Sequence, residues 1–72
     1  MTLSDVKVGS SVVVEKIKGD SAVKRHIMDM GITKGTKLSV KKLAPLGDPM
    51  EIEVRGYALS IRKHDAEVIE VK

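Results

Sequence analysis

The spacing of apolar residues changes period along the chain, and each change marks an element. Val12 and Val14 fall on one face, and Ile17 arrives one residue out of phase. This predicts a half-buried strand with a bulge near Glu15-Lys16, ended by Gly19-Asp20. From Ser21 to Met30 the period lengthens: Val23, Ile27 and Met30 stand at i, i+4 and i+7, one stripe of a helix. Asp20 or Ser21 can accept a hydrogen bond from a first-turn N–H, and Gly31 suits the left-handed residue that ends a helix. Ile32 then meets Ile27 in the hydrophobic contact of a Schellman ending.

After Gly35 the period returns to two. Leu38 and Val40 alternate with Lys37, Ser39 and Lys41, and Met50, Ile52 and Val54 alternate with Glu51, Glu53 and Arg55. Between them, Ala44-Pro45-Leu46-Gly47 has Pro at i+1 and Gly at i+3 of a type I turn, and Asp48 before Pro49 is extended. Pairing Val40 with Ile52 and Leu38 with Val54 keeps the apolar side chains on one face and sets Lys41 opposite Glu51. A two-residue Arg55-Gly56 turn brings Tyr57, Leu59 and Ile61 against Val54, Ile52 and Met50. Lys63-His64-Asp65 predicts a further turn, and Ile69 and Val71 a last strand that returns to the first.

About five short strands in a chain of 72 residues hide their edges best by curling into a barrel. An oligonucleotide-binding barrel carries its helix late. Here the helix follows the first strand, so the expected fold is mainly β with one short helix: a small SH3-like barrel with a helical insertion, one domain over 1–72.

Composition narrows the chemistry. Aromatic content is 1%, a single Tyr57 with no Phe or Trp, which removes stacking platforms for single-stranded nucleic acid and an aromatic groove for Pro-rich peptides. There is no Cys, hence no disulfide, thiolate nucleophile or Cys-based zinc site. No apolar run approaches a membrane span, and Met1–Lys7 lacks a signal-peptide layout, so a cytoplasmic protein without membrane insertion is expected. Thirteen basic residues against ten acidic ones give a net charge of +3. Most are interleaved with acids, and the one dense patch is Lys34, Lys37, Lys41 and Lys42. A solvated mixed-charge surface is the simpler reading, with a small basic nucleic-acid-binding barrel as the alternative.

Ala22 to Ile32, followed by Lys34-Gly35, resembles the helix-Gly-x-x-x-Gly region of the ferrous iron transport protein A (FeoA) family. Ala44 to Pro49 resembles that family's hairpin loop, and Leu59-Ser60-Ile61-Arg62 its penultimate strand. The likeness runs from about Val8 to Val71 in order and spacing; His26 stands where the family often has another basic residue. The resemblance implies a small cytosolic SH3-like accessory protein that works beside FeoB, a membrane Fe(II) transporter with a cytosolic GTPase domain. The same barrel resembles the C-terminal domain of iron-dependent repressors, but the start at Met1 favours the transport accessory. A monomer that binds no nucleic acid is expected.

Candidate chemistry is sparse. Ser60, His64 and Asp65 include the residue types of a hydrolytic triad, but His64 and Asp65 are expected to point apart on a turn, and no enzyme is expected. Gly31 and Gly35 are followed by no Gly-Lys-Ser/Thr and form no phosphate loop. At about 100° per residue, His26 and Asp29 lie roughly 60° apart on the helix, so together they offer at most a weak surface site for a divalent metal. His26 also flanks the apolar stripe, where a packed histidine is common, and no cofactor is expected. Arg25, Arg55 and Arg62 are open to the solvent, as an arginine finger must be, but so are most surface arginines. Met28 lies roughly 130° from the stripe's centre and Leu46 at a loop tip, so both should be exposed. Arg25, Met28 and Leu46 are therefore the expected partner-binding residues.

Overall fold

A computed structural model describes residues 1–72. Strands β1 (Ser11–Ile17), β2 (Lys37–Leu43), β3 (Met50–Val54), β4 (Tyr57–Ile61) and β5 (Ile69–Val71) form an antiparallel sheet in the order β4-β3-β2-β1-β5. Helix α1 (Ser21–Asp29) lies between β1 and β2, as expected for the SH3-like order. Two short pieces were not expected. A 3₁₀ turn, Leu3–Asp5, precedes β1, and Lys63–Ala66 forms a four-residue helix, α2, in place of a simple turn.

β1 serves two partners. Ser11–Val13 pair with β2, whereas Val14 pairs with Val71 and Ile17 with Ile69 on β5. The register shift between Val14 and Lys16 is the expected bulge, and it bends the strand where it changes partner. That bend rolls the sheet around one core of fifteen buried apolar residues, none of them aromatic. Burying one of its Leu or Ile side chains contributes about 1.5–3 kcal/mol.

The meander follows the expected registers, with one correction. Leu38 faces Val54 and Val40 faces Ile52, but a second bulge follows Val40, so Lys42 rather than Lys41 faces Glu51. The cause is the Lys41-Lys42 pair. Strict alternation would send Lys42 to the core face, and burying an unpaired ammonium is far costlier than a bulge. With Lys41 as the extra residue both lysines stay exposed, and Lys41 Nζ lies 3.3 Å from Glu53 Oε1. At the next turn Arg55 (φ 51) and Gly56 (φ 87) both adopt left-handed backbone, the type I′ pattern. For Arg55 this costs about 1 kcal/mol.

Both ends of α1 are closed as expected. Asp20 Oδ1 accepts from the Val23 N–H at 2.9 Å. Beyond the helix, the Gly31 N–H donates to Met28 O at 2.9 Å and the Ile32 N–H to Ile27 O at 3.4 Å, the two bonds of a Schellman motif. Ile27 and Ile32 are buried, and Val23 and Met30 pack against the core from the edge of the stripe. Tyr57 adds a closure that its strand position does not foretell. Its hydroxyl reaches across from β4 and donates to Met30 O at 2.9 Å, satisfying a helix-end carbonyl. The hydroxyl lies 2.5 Å from where a Cβ on Gly31 would sit, so only glycine fits that position beside it.

Candidate functional site

The outer face of α1 gathers most of the candidate residues. Arg25, His26, Met28 and Asp29 border one shallow depression together with Lys24 and Ala22. Arg25 is exposed and has no acid within 4.0 Å. Met28 is 49% exposed, as its helical phase requires, and it also borders a groove between α1 and the end of β1, beside Ile17, Lys16 and Lys34. The result is an unbranched apolar side chain rimmed by charged groups, mostly cations but with Asp29 and Glu15 among them, a surface suited to adaptable contacts.

Leu46 is 96% exposed at the tip of the loop between β2 and β3. The expected type I turn carries it: the Gly47 N–H donates to Ala44 O at 2.7 Å. The Asp48–Pro49 peptide bond is cis, and Asp48 Oδ1 accepts from the Lys63 N–H at 2.9 Å, which ties the loop to the start of α2. Leu46 borders neither depression that Met28 lines, so these two of the seven exposed large apolar residues stand on separate parts of the surface.

The histidines differ from expectation. The His26 side chain is 60% exposed rather than packed, and its Nε2 lies 3.7 Å from Asp65 Oδ2, turned toward α2 instead of toward Asp29. His64 does not point away from Asp65: its Nε2 lies 3.3 Å from Asp65 Oδ1. Asp65 therefore sits between two imidazoles, each an ionic partner only when protonated. The His64 side chain folds back over its neighbour, an arrangement that sequence spacing over four residues cannot reveal. Ser60 is on β4 opposite Glu51 and hydrogen-bonds to neither, so His64 and Asp65 have no nucleophile to activate. No three His, Asp or Glu side chains collect in a geometry that holds a metal ion. No helix is long and apolar enough to cross a membrane.

Comparison with known proteins agrees with this architecture. A model of the FeoA domain matches residues 1–72. A Fe(2+) transport protein A/Fe(2+) transporter FeoB fusion protein of Porphyromonas gingivalis is 33% identical over 72 residues, spanning all of this chain and 8% of that protein. The solution structure of a FeoA-like protein from Clostridium acetobutylicum superposes with a TM-score of 0.94 at 44% identity, covering 100% of this chain and 84% of the other. FeoA of Stenotrophomonas maltophilia, solved with zinc and described as a prokaryotic SH3 domain protein, gives a TM-score of 0.84 at 26% identity, covering 100% and 89%. This chain belongs to the FeoA family of small proteins associated with ferrous iron transport, and its fold is the SH3-like one.

Proposed function

We propose that this protein is a non-catalytic interaction module of ferrous iron uptake that docks on the cytosolic portion of FeoB. The observation that carries this reading is the fusion protein of Porphyromonas gingivalis, in which a 33% identical FeoA segment is joined to the FeoB transporter in one chain. A domain covalently joined to its partner has an effective concentration far above that of a free one, so even a weak contact is occupied. In this chain the contact rests on surface side chains. Met28 and Arg25 on the outer face of α1 supply an adaptable apolar contact beside a free guanidinium, and Leu46 offers a second contact at the loop tip.

The module works as a monomer in the cytoplasm, at the inner face of the membrane when docked, and requires no resident metal. A weak divalent-metal contact at His26 is incidental to it. Titrating the purified chain against the cytosolic portion of the cognate transporter, with and without guanine nucleotide, tests the reading. Saturable binding is expected; absence of binding in both conditions overturns it. Melting curves with and without excess EDTA should coincide, since the core closes without metal ligands. A large fall in melting temperature with chelator contradicts the metal-free reading.

A further inference from the structure

Arg55 occupies a backbone position that suits it poorly. The first residue of a type I′ turn is ordinarily Asn, Asp or Gly, because left-handed backbone brings a Cβ close to the following carbonyl oxygen, which Gly avoids and Asn and Asp offset by local hydrogen bonds. Nothing inside the molecule accounts for an arginine at φ 51. Its guanidinium has no acid within 4.0 Å, and no side-chain hydrogen bond of the fold uses it. Residues kept in sparsely populated backbone conformations without a structural reason are found at functional sites more often than elsewhere.

What Arg55 does is border a groove. The groove lies between its turn and the segment entering β2, where Lys34 and Lys37 also line it. No apolar residue faces this groove. Gly35 and Gly56 line it beside open space, with no atom within 4 Å of where a Cβ would sit at either. Thr36, only 6% exposed and bonded to the Thr33 hydroxyl at 3.0 Å, belongs to its lining as a fixed polar group. One acid is present, Glu53, and Lys41 Nζ holds it at 3.3 Å from outside the groove. Lys34 and Lys37, like Arg55, have no acidic partner.

Three cations without partners around an opening lined by no apolar residue fit a compact, multiply charged oxyanion. We propose that this groove binds a phosphate group, with Arg55 as the forked hydrogen-bond donor and Lys34 and Lys37 as point charges. A nucleic-acid strand fits less well. Along β2 and β3 the cations beyond the groove are matched by acids, Lys41 by Glu53 and Lys42 opposite Glu51, which interrupts a phosphate stripe. Tyr57 is the one aromatic ring, and a single ring supplies no series of platforms on which successive bases stack. The phosphate can be soluble or carried by a lipid headgroup; the recognising chemistry is shared.

The test is an NMR titration of the isotope-labelled full chain with inorganic phosphate, at an ionic strength held constant with sodium chloride. Saturable amide shifts are expected at residues 33–37 and 55–56. Arg55→Asn places Asn-Gly in the turn, so it should melt at or above the parent temperature while its phosphate affinity falls roughly fivefold or more. Lys63→Gln, on α2 and outside the groove, should leave the affinity unchanged. Sedimentation with phosphatidic acid vesicles, against pure phosphatidylcholine, separates the sources. Co-sedimentation that Arg55→Asn abolishes assigns a headgroup, and saturable phosphate binding without it assigns a soluble ligand. The proposal is overturned by unsaturable shifts spread over all surface lysines, or by Arg55→Asn binding phosphate as the parent does. A lowered melting temperature in that variant also overturns it, as does salt-sensitive binding of a DNA duplex that Arg55→Asn leaves intact.

Discussion

The β2–β4 meander and the helix α1 are held to the same core by different means. In the meander Leu38, Val40, Ile52 and Val54 are all fully buried, and each faces another across the ladder. Removing one leaves its partner and the backbone pairing in place, so the region is redundantly specified. Within α1 only Ile27 is fully buried. Val23 and Met30 are partly buried against the same core, and the ends are closed by Asp20 at the first turn, Gly31 and Ile32 at the last, and the Tyr57 hydroxyl on Met30 O. The difference separates tasks. The meander supplies cohesion, while the helix gives up little surface to the core and keeps its outer face exposed.

The sharpest way to break the comparison is to open the meander. Ile52→Ala removes a fully buried side chain from β3, which has strands on both sides, and should cost about 2–5 kcal/mol. A chemical-denaturation midpoint measures it. A loss below about 1 kcal/mol would mean that the core collapses into the space and that the meander is less tightly packed than its burial implies.

Gly31→Ala strikes the helix attachment at its narrowest point. Alanine must adopt φ 88 and place its Cβ 2.5 Å from the Tyr57 hydroxyl, so either the backbone or the ring moves. A cost of about 1–3 kcal/mol is expected from the backbone alone. Tyr57 is the only aromatic residue, so its fluorescence reports the displacement directly. An unchanged emission together with unchanged stability would show that the hydroxyl does not bridge the hairpin to the helix.

A smaller effect is expected at the other end of α1. Asp20→Ala deletes the side chain that accepts from the Val23 N–H, and helix caps of this kind are worth about 1 kcal/mol. Asp20→Asn should restore most of the loss, because an amide oxygen accepts the same bond. Failure of Asn to rescue would assign the effect to charge rather than to capping.

These same contrasts govern how much was legible in the sequence. The registers of β3 with β2 and β4 follow from apolar alternation, because a one-residue slip would expose every buried side chain at once. The bulge after Val40 leaves no periodic trace, because Leu38 and Val40 carry no signal past the two lysines, and only the fate of Lys42 reveals it. The Schellman end of α1 was readable from Gly31 and the Ile27–Ile32 spacing. Helix α2 was not, since four residues are too few to display a 3.6-residue period. The exposure of Met28 and Leu46 followed from helical phase and loop position. Tyr57 on Met30 O joins residues 27 positions apart, and the groove of Lys34, Lys37 and Arg55 likewise forms only when two turns meet, so neither leaves a local trace. Local periodicity reports which side of an element faces the core, but not which distant side chain completes a site.

The smallest effect on stability is expected at Met28, and it sharpens the division of tasks most. Met28→Gln preserves length and helix propensity and removes only apolar character from a side chain already half in water. Stability should change by no more than about 0.5 kcal/mol. If the outer face of α1 is the docking surface, binding to the cytosolic portion of the transporter should weaken by more than about 1 kcal/mol, a several-fold rise in Kd. Leu46→Gln, measured in parallel, asks whether the loop tip belongs to the same contact. The two residues stand on separate parts of the surface, so losses that add point to one broad interface covering both. A loss confined to Met28 restricts docking to the helix. A folded Met28→Gln variant that binds as the parent does would move the docking surface off α1 and leave its exposed methionine as ordinary surface.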